Sequence, residues 1–120
     1  MKRVMIVDDS STVRKFVSFS LKMKGFDVLI AEDGLDALEK MPQDGVDLII
    51  TDLNMPNMDG YTLIKSIRDS EKFKSIPIII LSSESGDDDI EKGKMLGANA
   101  YLVKPFNAMR LQYEVVKFLN

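Results

Sequence analysis

Apolar residues in this chain come in short runs that end on polar ones. Residues 4–7, 48–51, 78–81 and 101–103 form such runs, each of strand length and far too short to span a membrane. A run apolar at nearly every position suits a strand buried on both faces, as in a parallel sheet covered by helices. Between the runs the period becomes helical. Val13, Phe16, Val17, Phe19, Leu21 and Met23 mark a wide apolar face, with Ser10, Ser11 and Thr12 offering N-caps and Gly25 a stop. Segment 27–31 reads as a short strand. Segment 35–41 reads as a helix with Leu35, Leu38 and Met41 on one side and Pro42 after it. A strand over 46–51 leads into a loop over 53–60 containing Pro56 and Gly60, then a helix over 61–68 with Leu63, Ile64 and Ile67 inward. Pro77 opens a fourth strand. Asp87, Asp88 and Asp89 set carboxylates at the start of a helix that reaches Leu96 and stops at Gly97. A strand over 100–103 and an amphipathic helix over 108–119 complete the chain. Five strand–helix repeats predict an α/β fold over 1–120: a single doubly wound five-stranded parallel sheet with five helices and right-handed crossovers.

The residues that end the runs are the chemically interesting ones. In an open parallel sheet every strand's carboxyl end points to one edge, where ligands bind. Asp8, Asp9, Asp52, Ser82 and Lys104 would meet there. Singly, each has a plain structural role: Asp8-Asp9 as an N-cap with a solvated neighbour, Asp52 as a turn cap, Ser82 as a strand end, Lys104-Pro105 as a loop. Together they pose an electrostatic problem. Two carboxylates ~4 Å apart repel by ~4 kcal/mol at an effective dielectric of ~20, and a helix N-terminus returns only ~0.3–1 kcal/mol. Three aspartates therefore need a counter-charge beyond a dipole. Lys104 supplies one positive charge and a divalent cation two. Mg²⁺ takes oxygen ligands and keeps waters beside one or two carboxylates; one of the carboxylates could serve as a nucleophile, with Lys104 and the Ser82 hydroxyl directed at phosphoryl oxygens.

Composition narrows the function. The chain has 120 residues, 45% of them hydrophobic, enough for one core. It has no cysteine and no histidine, which removes disulfides, thiolate or imidazole metal ligands and imidazole bases. A net charge of −3 argues against non-specific nucleic-acid binding. Met1-Lys2-Arg3 begins like a signal peptide, but the apolar run after it stops at Asp8, so a cytoplasmic protein without membrane insertion is expected. The eight methionines read mostly as core filler. Tyr101, Phe106, Met109 and Tyr113 read as a partly exposed patch for a partner.

Asp8-Asp9, the stretch Asp52-Leu53-Asn54-Met55-Pro56-Asn57-Met58-Asp59-Gly60, Leu81-Ser82-Ser83 and Lys104-Pro105-Phe106 resemble the receiver domains of two-component response regulators, over the whole chain. Asn54, Glu84 and Tyr101 fit the stand-alone, CheY-like chemotaxis subtype. The resemblance implies a flavodoxin-like sheet of strand order 2-1-3-4-5 and a cis Lys104-Pro105 bond. It implies Asp52 as phosphoryl acceptor, and Mg²⁺ (with Mn²⁺ able to substitute) on Asp9, Asp52 and the Asn54 backbone carbonyl, with Asp8 acting through water. Ser82 and Lys104 would contact the phosphoryl group, and Tyr101 would turn inward as Ser82 moves. Asn54 and Glu84 would stand at the rim where the phosphoryl group is hydrolysed. Serine at 82 stands where threonine is also common. The donor would be a histidine kinase or phosphotransfer protein, because this chain has no histidine. No effector segment follows Asn120, so output would be binding by a monomer to a target protein, such as a flagellar motor switch, through the fourth helix, fifth strand and fifth helix. A phosphatase is a further expected partner. The chain would catalyse only its own phosphorylation and dephosphorylation and would not be a turnover enzyme.

Three other readings stand beside this one. A receiver of another phosphorelay, or one excised from a larger regulator, shares every motif. An aspartyl-phosphate phosphatase of the haloacid dehalogenase type needs a second acid two residues beyond its nucleophile, where this chain has Asn54. A flavodoxin-like binding module needs a hydroxyl- and glycine-rich loop where this chain has Asp8-Asp9.

Overall fold

The computed structural model describes residues 1–119, excluding the side chains of residues 43 and 44. The expected domain end at Asn120 lies outside the described residues. Strands and helices alternate as β1 (Arg3–Val7), α1 (Ser11–Lys22), β2 (Asp27–Ala31), α2 (Gly34–Asp44), β3 (Leu48–Asp52), α3 (Gly60–Arg68), β4 (Ile78–Ser82), α4 (Asp87–Met95), β5 (Ala100–Val103) and α5 (Ala108–Leu119). The strands form one parallel sheet in the order β2-β1-β3-β4-β5, as the resemblance implies.

The apolar runs are explained by a two-sided core. Along β1, Val4 and Ile6 pack with Val17, Leu21, Leu111 and Val115 of α1 and α5. Met5 and Val7 pack on the opposite face with Ala37, Met41, Leu63 and Ile67 of α2 and α3. Because both faces are covered, alternation gives way to continuous hydrophobicity, and each fully buried Ile or Leu contributes about 1.5–3 kcal/mol. α4 lies on the α2–α3 face and is the least anchored helix. Gly93 is its only buried residue, and a Cβ there would press within 2.7 Å of Ile80 Cδ1.

Several sequence expectations need correction. Pro42 lies inside α2, which continues to Asp44. A proline near a helix's last turn frees only one preceding carbonyl and is tolerated. Leu35 is exposed, and Ala37 rather than Leu35 fills the core beside Met41. The apolar face of α1 is wider than the buried one: Phe16, Phe19 and Met23 are exposed. Gly60 begins α3 instead of closing the loop, with Asp59 as its N-cap. Gly86, not the aspartate run, is the N-cap of α4, and the three aspartates occupy its first turn. The methionines are not mostly core. Met5 and Met41 are buried, whereas Met1, Met23, Met95 and Met109 are exposed. The Lys104-Pro105 bond is cis, as expected. Among the described residues no helix is long and apolar enough to cross a membrane.

Candidate functional site

Strand register brings the site together. Val7 pairs with Thr51, Asp52 with Leu81, and Ser82 with Val103, so Asp8, Asp52, Ser82 and Lys104 fall on one edge of the sheet. The Lys104 amide donates to the Ser82 carbonyl at 2.7 Å, extending the β4–β5 ladder to the site. One carboxylate oxygen each from Asp8, Asp9 and Asp52 lies within 4.8 Å of the others.

The three acids have different surroundings. Asp8 is fully buried. Its Oδ1 accepts from the Ser10 amide at 2.9 Å and its Oδ2 from Lys104 Nζ at 3.0 Å. Both oxygens are therefore engaged, which fits a supporting role better than a direct ligand. Asp9 is exposed. Asp52 is 8% exposed, and its Oδ1 accepts from the Leu53 amide at 2.8 Å. Its Oδ2 lies 3.6 Å from Lys104 Nζ, longer than a good hydrogen bond. Burial, then the Asp8 charge, pushes the Asp52 carboxyl above its ordinary value. Lys104 and the Leu53 amide pull the other way, and Asp9 adds to the rise. Burial being the largest cause, the ionised form of Asp52 is disfavoured even with the ammonium beside it.

An all-oxygen, acid-rich donor set in a chain without His or Cys suits a hard divalent cation such as Mg²⁺. The backbone beside it is constrained. A Cβ on Gly60 would collide with the carbonyl oxygen of Asp52 and the Cα of Leu53, so the start of α3 sits directly on the strand end. Gly60 N–H donates to Leu53 O at 2.8 Å. The 53–59 loop is further tied to α2. Asn57 adopts φ 68, a left-handed conformation that asparagine tolerates, and its Nδ2 donates to Asp33 Oδ2 at 2.6 Å.

The remaining expected residues line the rim. Ser82 is buried, and its Oγ accepts from the Glu84 amide at 3.1 Å. The half-buried Tyr101 donates its hydroxyl to the Glu84 carbonyl at 2.8 Å. Burial raises the Tyr101 pKa, against a hydrogen bond with Ser82 that lowers it. Ser82, Glu84 and Tyr101 thus form one connected group. Asn54 and Glu84 meet across the rim, Asn54 Nδ2 donating to Glu84 Oε1 at 3.0 Å. On α5, Met109 and Tyr113 are exposed, and Phe106 in the loop before it is half-buried.

Sequence reasoning missed three supports. Arg14 Nη1 donates to the Asp8 carbonyl at 2.7 Å. Asp33 caps α2 through the Asp36 amide while accepting from Asn57, and both bonds lower its pKa, the Asp36 amide more. Thr51 Oγ1 donates to the Asp52 carbonyl at 2.8 Å. The Asp33 cap, an aspartate just before a helical run, could have been read from the sequence, whereas the Asn57–Asp33 and Arg14–Asp8 contacts depend on how the fold brings loop, helix and strand end together.

The family model described as "Response regulator receiver domain" matches residues 4–116. The chain is 42% identical over 109 residues to "Protein PilG" of Pseudomonas aeruginosa, covering 91% of this chain and 81% of that protein. It is 40% identical over 122 residues to "Chemotaxis protein CheY1" of Helicobacter pylori, covering 98% of each. Among solved structures, chemotaxis response regulator CheY4 of Vibrio cholerae superposes with a TM-score of 0.92 at 38% identity, covering 98% of both chains.

Proposed function

Because the chain belongs to the response regulator receiver domain family, we propose that its residues 1–120 form one phosphorylatable switch of the CheY chemotaxis type, with Asp52 as the phosphoryl acceptor. One observation carries the assignment: three carboxylates converge within 4.8 Å at the strand ends, with Lys104 at 3.0 Å from Asp8 and 3.6 Å from Asp52.

Asp52 Oδ2 would attack the phosphorus of a partner's phosphohistidine. An O–P bond forms, the P–N bond breaks, and its electron pair returns to the imidazole nitrogen, which takes up a proton. Asp9, Asp52 and the Asn54 carbonyl would hold Mg²⁺ (or Mn²⁺), with Asp8 acting through water; the ion supplies charge neutralisation. Lys104 stands ready to meet the phosphoryl oxygens as a point charge. The chain's own contribution is positioning, so it catalyses its own modification and not the turnover of a metabolite.

Output would follow a population shift. A phosphoryl group on Asp52 would draw the Ser82 hydroxyl from the Glu84 amide. The Tyr101–Glu84 contact would then rearrange, altering the surface of α4, β5 and α5 where a target protein binds. The Asn54–Glu84 pair would set the rate of hydrolysis by holding a water in line. A histidine kinase or phosphotransfer protein would supply the phosphoryl group in the cytoplasm.

The test is intact mass after incubation with acetyl phosphate and Mg²⁺. Wild type gains one phosphoryl group, and neither Asp52→Asn nor metal-free wild type does. Undiminished labelling of Asp52→Asn would remove Asp52 from the role.

A further inference from the structure

The acid cluster does not account for the outer face of α1. Its apolar period continues past the core into Phe19 and Met23, 67% and 68% exposed. Beside Phe19 a groove of about 450 Å³ runs between α1 and β2, with Val28 and the 45%-exposed Ile30 as its other apolar walls. Its remaining lining includes Arg14, Lys15 and Lys22 and no acidic residue. Among the described residues these three cations form no ion pair, a state they share with Lys2, Lys24, Arg68, Lys72, Lys92 and Lys94, so it is their clustering on one apolar groove that sets them apart. Arg14 spends one N–H on the Asp8 carbonyl. Asp27, whose carboxyl feels the charge of Lys22, is already held by Arg3 at 2.6 Å. A protein of net charge −3 thus carries an apolar groove whose charged lining is entirely positive.

Charge and the edge strand together select the occupant. β2 is an edge strand, and Asp27 and Ala31 bond inward to the chain of β1. The backbone groups of Val28 and Ile30 therefore face outward. The outward carbonyl of Ile30 accepts from Lys40 Nζ at 2.7 Å, and Lys40 is paired with Asp36 at 3.1 Å. An added strand would have to displace that lysine, the usual guard of an open edge. A second copy docked by a two-fold axis would set the same cations against each other. What fits is a helix laying its apolar stripe in the groove. We propose that the α1–β2 groove docks an acidic amphipathic helix of a partner protein, with apolar side chains over Phe19 and Ile30 and carboxylates at Lys15 and Lys22. The proposal does not depend on phosphorylation of Asp52.

The test uses the isotope-labelled full chain and two synthetic helical peptides. Both carry leucine at i, i+4 and i+7; one is flanked by glutamate and the other by lysine. With the glutamate peptide we expect saturable amide shift changes at Phe19, Val28 and Ile30, weakening about tenfold as salt screens the pairs. Lys15→Glu combined with Lys22→Glu, both exposed positions, should weaken that peptide about tenfold and bind the lysine peptide better than wild type does. An unchanged melting temperature shows that the variant is folded. The proposal is overturned by equal affinity for the two peptides, by no saturable change, or by changes confined to α4, β5 and α5. Shifts that follow protein concentration alone, indicating a second copy, also overturn it. So does binding to phosphatidylserine vesicles without binding to peptide.

Discussion

Arg68 and Lys104 stand at opposite edges of one sheet, each a cation in partly buried polar surroundings, and their partners differ in kind. Arg68 closes α3 at the amino edge. Its guanidinium donates to Gly97 O at 3.0 and 2.8 Å, Lys74 O at 3.0 Å, Ile76 O at 2.7 Å and Asn99 Oδ1 at 3.0 Å. Asn99 Oδ1 also accepts from the Ile78 amide at 2.8 Å, so the starts of β4 and β5 are stitched together. Every partner is a neutral dipole, and the carbonyl just past the end of α4 favours a cation. Burial lowers the Arg68 pKa, but a guanidinium stays charged. At the carboxyl edge one ammonium faces three carboxylates. The amino edge is saturated and serves stability; the carboxyl edge keeps excess negative charge that a bound cation or a proton can relieve.

The largest expected effect lies at the saturated edge. Arg68→Ala strands several carbonyls and should lower stability by about 3 kcal/mol in urea unfolding. Folded Arg68→Ala should still take up phosphate at nearly the wild-type rate, because the two edges are separate. A loss below ~1 kcal/mol would erase the contrast. Ser82→Ala should cost less, about 1 kcal/mol for one buried hydrogen bond. It should nevertheless strip most of the beryllofluoride-induced chemical-shift change from Tyr101 and α5. Full-sized changes in that variant would break the proposed coupling. The smallest effect on stability belongs to the rim. Asn54→Leu with Glu84→Met should change stability by less than ~0.5 kcal/mol, yet slow phosphate loss after donor removal by roughly three- to tenfold. Equal decay rates would take the rim out of the lifetime.

The carboxyl edge was far more legible in the sequence than the amino edge. Asp8, Asp52, Ser82 and Lys104 each follow an apolar run directly, and parallel topology alone sends all run ends to one side. Arg68 gave no such signal. It reads as an ordinary basic residue in a helix's last turn, because its partners are mainly backbone carbonyls outside its own helix, and a carbonyl carries no residue-type signal. Arg14, donating to the Asp8 carbonyl, was invisible for the same reason. The bounds of β2, β5 and α5 agree with the apolar pattern, since periodicity and flanking polar residues coincide there. The pattern misled where it counted apolar residues without their neighbours. Leu35, Phe19 and Met95 are hydrophobic by type, yet the elements facing them leave them exposed.

The claim that the carboxyl edge is held at an energetic cost until a cation arrives is tested most directly by thermal unfolding of wild type and Asp52→Asn, with and without Mg²⁺. Burial and the Asp8 charge raise the Asp52 pKa, so the folded protein binds that proton more readily than the unfolded chain. Above the folded pKa the ionised group therefore lowers stability; the penalty shrinks as pH falls through that pKa and is gone below the unfolded carboxyl's ordinary value. At neutral pH without divalent ions, Asp52→Asn should melt several degrees higher, corresponding to about 1 kcal/mol, and the difference should close on acidification. Mg²⁺ at ten times its dissociation constant should stabilise wild type by about 1.4 kcal/mol and the variant much less. An Asp52→Asn protein that melts below wild type without metal, or gains equally from Mg²⁺, would contradict the account.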